Sequence, residues 1–287
     1  VHVINTVLNN PYFQGIASSY IAVAIAFIVG MPIYRITRRR RLLRFFGCTS
    51  NHRIRLYLSN LDIALGGARD PSGQIRTFHG SAAPGHELPF IPALYQLFLA
   101  PVPGLSTQPG WWRALAMRDV DINVSPSPRS AQDIDASATL ITVGSVGYNT
   151  VSAEVKKNFK PSVQLLPEGA AISPDKVRYE GIDYAILAKC RHPSRKQWAF
   201  YAAGPTRIGT TSAFQYLIQN WSALRKEFGD QTPFSVVIRV IDDDSSRREV
   251  VHRYRHHGLS FGNDTMTGVS RCTEHALNVS APRFGVT

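Results

Sequence analysis

Cysteine is scarce in this chain. Cys48, Cys190 and Cys272 are the three in 287 residues, odd in number and far apart. No C-x-x-C pair and no Cys/His pair with zinc spacing occurs, which excludes a disulfide framework and a cysteine-built metal centre. Free thiols fit a reducing compartment. Acidic residues are also few, 20 against 32 Lys and Arg, for a formal net charge of +12. The strict nucleotide-binding signatures are missing: no glycine turn is followed by G-K-[ST], and none reads G-x-G-x-x-G. Ser145, in G-S-V-G, lacks the spacing of a hydrolase elbow. Residues 16–34 contain no charged side chain at all, and this absence is the most informative.

A helix over 16–34 matches a hydrocarbon core of about 30 Å. Arg35, Arg38, Arg39, Arg40, Arg41 and Arg44 follow at once, and Tyr12, Phe13, Tyr20 and Tyr34 lie near the ends of the run. A cleaved signal peptide would carry its charge before a shorter run, and a buried core helix would not end in six arginines. The one-sided charge predicts a short outer N-terminus (1–15), a single transmembrane helix (16–34) and a basic segment (35–50) on anionic lipid headgroups. The rest is then cytoplasmic, beneath an inner (plasma) membrane. Without those arginines the remainder is only mildly basic, and no aromatic pattern interleaves the cluster, so nucleic acid is not an expected partner.

About 240 residues remain, enough for one large domain. Residues 54–59 (IRLYLS) alternate as a strand, and 69–85, rich in Gly, Ser, Pro and Ala, reads as a loop. Residues 88–99 read as a helix, 121–124 as a short strand, 139–143 (TLITV) as a buried strand and 150–159 as a helix. Strand-like runs recur at 163–166, 184–189, 197–203 and 233–240, with an amphipathic helix over 210–228. Strands alternating with helices predict an α/β fold: a three-layer, Rossmann-like, mostly parallel sheet over 51–245, preceded by the transmembrane helix. A basic extension over 246–287 follows, with room for an edge strand near 249–254.

Two glycine turns between a buried strand and a helix are the candidate binding elements. They would leave backbone N–H groups at positive helix ends, where phosphate is accepted. The first offers Gly144, Ser145, Gly147, Asn149 and Thr150; the second Gly204, Thr206, Arg207, Gly209, Thr210 and Thr211. Ser59 and Asn60, at the end of the first strand, would share the same crevice. The same glycines also serve plain tight turns, with Thr210 as a helix cap. Gly66 and Gly67 fit an anion nest, a hairpin or a bulge. Glu87 precedes a helix and either complements its dipole or reads a base or ribose hydroxyl. Asp242–Asp244 and the histidines at 252, 256 and 257 read as a strand-end turn and a basic tail rather than metal ligands, and Trp111, Trp112, Trp198 and Trp221 as core or interface residues.

A strand leading into G-P-T-R-I-G-T-T-S-A and a long helix resembles the phosphate-binding turn of SLOG-type, Rossmann-like nucleotide-sensing domains of bacterial defence and signalling systems. The proline is in place, but Thr206 and Arg207 stand where that pattern has glycines, and Gly144 and Gly147 are split by Ser145 and Val146. The resemblance implies a nucleotide or nucleotide-derived signal near 144–150 and 204–212. The expected function is a membrane-anchored sensor acting through self-association or the membrane. The alternatives are a nucleotide-processing hydrolase with Glu87 or Asp183 as acid or base, and a ligand-free membrane scaffold.

Overall fold

The computed structural model describes residues 36–48, 53–69, 75–99, 120–166, 171–172, 177–242 and 244–255, with positions 19, 20, 23, 30, 33 and 34. After a helix over 36–45 come β1 (Arg53–Leu58), β2 (Leu61–Arg69), β3 (Ile75–Ala82), α1 (Phe90–Leu99), β4 (Asp121–Pro126) and β5 (Thr139–Val143). Then come α2 (Thr150–Glu154, prolonged by a π turn over Val155–Phe159), β6 (Gln164–Leu165), β7 (Ala171–Ile172) and β8 (Arg178–Tyr179). β9 (Tyr184–Arg191), β10 (Trp198–Ala203), α3 (Arg207–Phe228), β11 (Phe234–Ile241) and β12 (Asp244–Arg255) complete the order.

Seven strands form one sheet in the order β12-β11-β9-β10-β5-β1-β4. β10, β5, β1 and β4 are parallel, whereas β9 runs against both β10 and β11, and β12 against β11. Five of the seven strands therefore point one way, and the sheet is mixed but mostly parallel, as expected of an α/β fold. β5 and β10 are buried along their whole length, as strands covered on both faces must be. On one face Ile54, Leu56, Ile141, Phe200 and Leu187 meet α1, α3 and the 36–45 helix. On the other, Tyr57, Leu140, Tyr201 and Ile186 meet α2 and the small sheet β6-β7-β8.

The stretch expected as a loop over 69–85 contains β3, paired with β2. Its composition reads as a loop because pairing with β2, rather than an apolar stripe, holds it. The register shifts between Ala64 and Gly66, so this glycine pair belongs to a bulged strand. β12 carries the sheet to Arg255, beyond position 245 where the domain was expected to end. Asp242 pairs with Arg247 at 2.7 Å, and Asp244 accepts from Ser246, so both carboxylates serve the turn into β12.

The expected membrane span falls mostly outside the described residues, as do Arg35, Trp111, Trp112, Cys272, His256 and His257. Among the described residues no helix is long and apolar enough to cross a membrane. The described positions between 19 and 34 are helical, and Tyr20, Val23, Ile33 and Tyr34 are exposed. Past them the helix splits its faces. Arg38, Arg40, Arg41 and Arg44 are exposed and Arg39 half-buried, while Leu42, Leu43, Phe45 and Phe46 are buried in the main core. The basic segment is thus also core. Its helix ends in a Schellman closure: Cys48 N–H donates to Leu43 O and Gly47 N–H to Arg44 O, with Gly47 at φ 71°.

Candidate functional site

β1, β5 and β10 are parallel neighbours, so their carboxyl ends lie on one edge of the sheet. β4 follows β1 in the chain but pairs on the side of β1 away from β5. The order reverses there, and such a switch point opens a crevice beyond the strand ends. A cleft of about 470 Å³ occupies this edge, within the range of small-molecule sites. Ser59, Gly144, Ser145, Gly204, Thr206, Arg207 and Thr210 line it. So do Glu87, which the sequence left between two roles, and Leu61, Pro84, Gly85, His86, Tyr148 and Pro205, which it did not single out.

Gly144 ends β5 with φ 94°, and its N–H donates to Ala202 O. A Cβ there would lie 2.3 Å from Ser59 Oγ and 3.4 Å from Glu87 Oε1. The missing side chain makes room for a buried pair: Ser59 N–H donates to Glu87 Oε2 and Ser59 Oγ–H to Oε1, both at 2.7 Å. Burial pushes the Glu87 carboxyl above the usual range, and the Ser59 bonds and nearby His86 pull it partly back. Gly144→Ala should therefore displace Ser59 and lower stability by about 1–3 kcal/mol. Urea unfolding of the two proteins side by side checks this, and an unchanged midpoint would count against the crowding.

The second turn is shorter than the sequence suggested. α3 starts at Arg207, and its cap is Thr206, whose Oγ1 accepts from Gly209 N–H at 3.2 Å. Thr210, the expected cap, instead accepts from Gly204 N–H. A Cβ on Gly204 would meet the Gly209 and Thr210 backbone at 2.8–2.9 Å, so β10 and α3 close tightly here. The Arg207 and Ile208 N–H groups, first in the helix, have no intrahelical acceptor. The Arg207 side chain is exposed and lines the cleft. It makes no ion pair or hydrogen bond within the described residues.

The first turn is built differently. Asn149 is buried; its Oδ1 accepts from Val151 N–H and Ser152 N–H, and its Nδ2 donates to Tyr57 O and Val143 O. Ser127 Oγ also accepts from Val151 N–H. These side chains fill the start of α2, which leaves little for a phosphate. Asn60 likewise ties loops together, through Tyr148 O and Ser127 O. Asn60, Gly147, Asn149, Thr150, Gly209 and Thr211 do not line the cleft, and neither does Asp183. Among the described residues no group of His, Cys, Asp and Glu could hold a metal ion. No protein-family model, curated protein or solved structure matches this chain.

Proposed function

We propose that this chain is a membrane-anchored α/β domain of Rossmann-like kind that binds a small phosphate-bearing ligand of the nucleotide class in the cleft. The observation that carries the reading is Arg207: an exposed guanidinium without a carboxylate partner among the described residues, beside the open N–H groups of α3, in a crevice at the switch point of the sheet. Binding without turnover is favoured because Glu87 is the one carboxylate among the described lining residues. Both its oxygens already accept from Ser59. The anchor reading draws on the four uncovered apolar side chains upstream and on the outward Arg38, Arg40, Arg41 and Arg44. Such a helix suits a bilayer with anionic headgroups, N-terminus outside and domain in the cytoplasm. Ligand occupancy would then signal by self-association of anchored copies or through the anchor itself.

The test is thermal unfolding of the full chain in detergent with nucleoside mono-, di- and triphosphates. A ligand at a hundred times its dissociation constant should stabilise the domain by about 2.7 kcal/mol. Arg207→Ala should abolish that shift while leaving the unliganded midpoint unchanged. A shift that survives Arg207→Ala would move the ligand elsewhere. Conversion of the nucleotide to product would replace the sensor with an enzyme, and no shift with any compound would favour a scaffold.

A further inference from the structure

The cleft is electrically bipolar. Arg207 and the start of α3 stand at the end of β10; Glu87, held by Ser59, stands at the end of β1; β5 lies between them. Two strand spacings, about 10 Å, separate the ends of β10 and β1. Glu87 lines the cleft yet is only 2% exposed. A carboxylate offers about four acceptor positions, and Ser59 fills two of Glu87's. Each oxygen therefore keeps room for one further donor. His86 Nε2 lies 4.0 Å from Oε1, too far for a hydrogen bond.

The two poles ask for different chemistry. A phosphate suits Arg207 and the helix N–H groups but would be repelled at Glu87. Hydroxyl donors suit Glu87, whose oxygens accept and do not donate when ionised. Resting on the reading of the cleft as a phosphate site, we propose that the ligand is a phosphorylated pentose, free or within a nucleotide, with its phosphate on Arg207 and its vicinal hydroxyls donating to Glu87. A pyrophosphate laid across both poles is disfavoured, because one phosphate would face the carboxylate.

The test uses the full chain in detergent and titration calorimetry with inorganic phosphate, ribose 5-phosphate, 2-deoxyribose 5-phosphate, AMP, GMP, CMP and UMP. Ribose 5-phosphate should bind about tenfold more tightly than its 2-deoxy analogue, the worth of one hydrogen bond to a charged group. That comparison needs no variant. Glu87→Gln should erase the preference while phosphate still binds, and Arg207→Ala should weaken all the compounds together. Equal binding of the two sugar phosphates, or a preference that persists in Glu87→Gln while Arg207→Ala still weakens everything, would overturn the pentose assignment and leave the phosphate site standing. If none of the compounds binds, or Arg207→Ala changes nothing, the phosphate reading itself falls. Nucleotides binding more tightly than ribose 5-phosphate would support the assignment with a nucleotide as source; the reverse order would support it with the free sugar phosphate.

Discussion

Phe46→Ala is expected to lower the unfolding free energy by about 3–5 kcal/mol, the usual loss for emptying a buried aromatic site. Phe46 is fully buried. Its ring lies 5.3 Å from Phe45, 4.9 Å from Phe98 and 4.7 Å from Phe200. Its carbonyl accepts from Thr139 Oγ1 at 2.9 Å, so the same residue joins α1, β10 and the start of β5. Domains are stable by only about 5–15 kcal/mol, and this one substitution removes a large share. A fragment starting at Cys48 loses Leu42, Leu43, Phe45 and Phe46 together and is expected not to fold. Urea titration of chains starting at residues 36 and 48 measures the difference. Equal midpoints for the two would show that the segment before Cys48 is an appendage rather than core.

Stability should rise by about 2–3 kcal/mol between pH 7 and pH 9. The cause is Lys189, fully buried on the α3 face of the sheet. Its Nζ donates to Asp230 O at 2.6 Å and lies 4.6 Å from the centre of the Phe45 ring and 4.5 Å from that of Trp198. Burial pulls this ammonium down from 10.5 to about 7, although Asp230 and Cys48 hold it up in part. From about pH 7 upward the unfolded chain therefore holds a proton that the folded chain has released, and stability climbs with pH. The buried thiols act in the opposite sense. Burial raises Cys48 from 9.0 to about 11 and Cys190 to about 12. Above pH 9 the folded thiols keep protons that the unfolded chain has lost, so stability falls again. The maximum should lie near pH 9. Lys189→Met should flatten the climb and raise stability at pH 7 by about 2 kcal/mol, as replacing a buried charge by an apolar side chain often does. Denaturant midpoints at pH 7, 8 and 9 decide it; a flat wild-type profile would reject the assignment to Lys189.

The parts legible in the sequence are those where one residue pattern has one physical meaning. The apolar runs of β5 and β10 could hardly be anything but buried strands, and the glycines after them marked the strand ends that line the cleft. The β2–β3 hairpin was hidden because its glycines and serines carry the composition of a loop. Six arginines hid Phe45 and Phe46, since charge on one helical face says nothing about the face behind it. Asn149 looked like a ligand residue because its type suits one, but its amide is spent on Tyr57, Val143 and the start of α2. Thr210 was expected to cap α3, but the helix starts three residues earlier and the path of the backbone gives that place to Thr206. Glu87 needed the fold most: its meaning depends on Ser59, 28 positions away.

The closure at Gly47 makes the first helix and the sheet a single lever. A side chain there would lie 2.1 Å from the indole of Trp198. The last helical carbonyls are tied to the N–H groups of Gly47 and Cys48, and Phe46 O is bolted to β5 through Thr139. A displacement of the 36–45 helix would therefore act directly on β5, through the Phe46–Thr139 hydrogen bond, and on the core packed around Phe45 and Phe46.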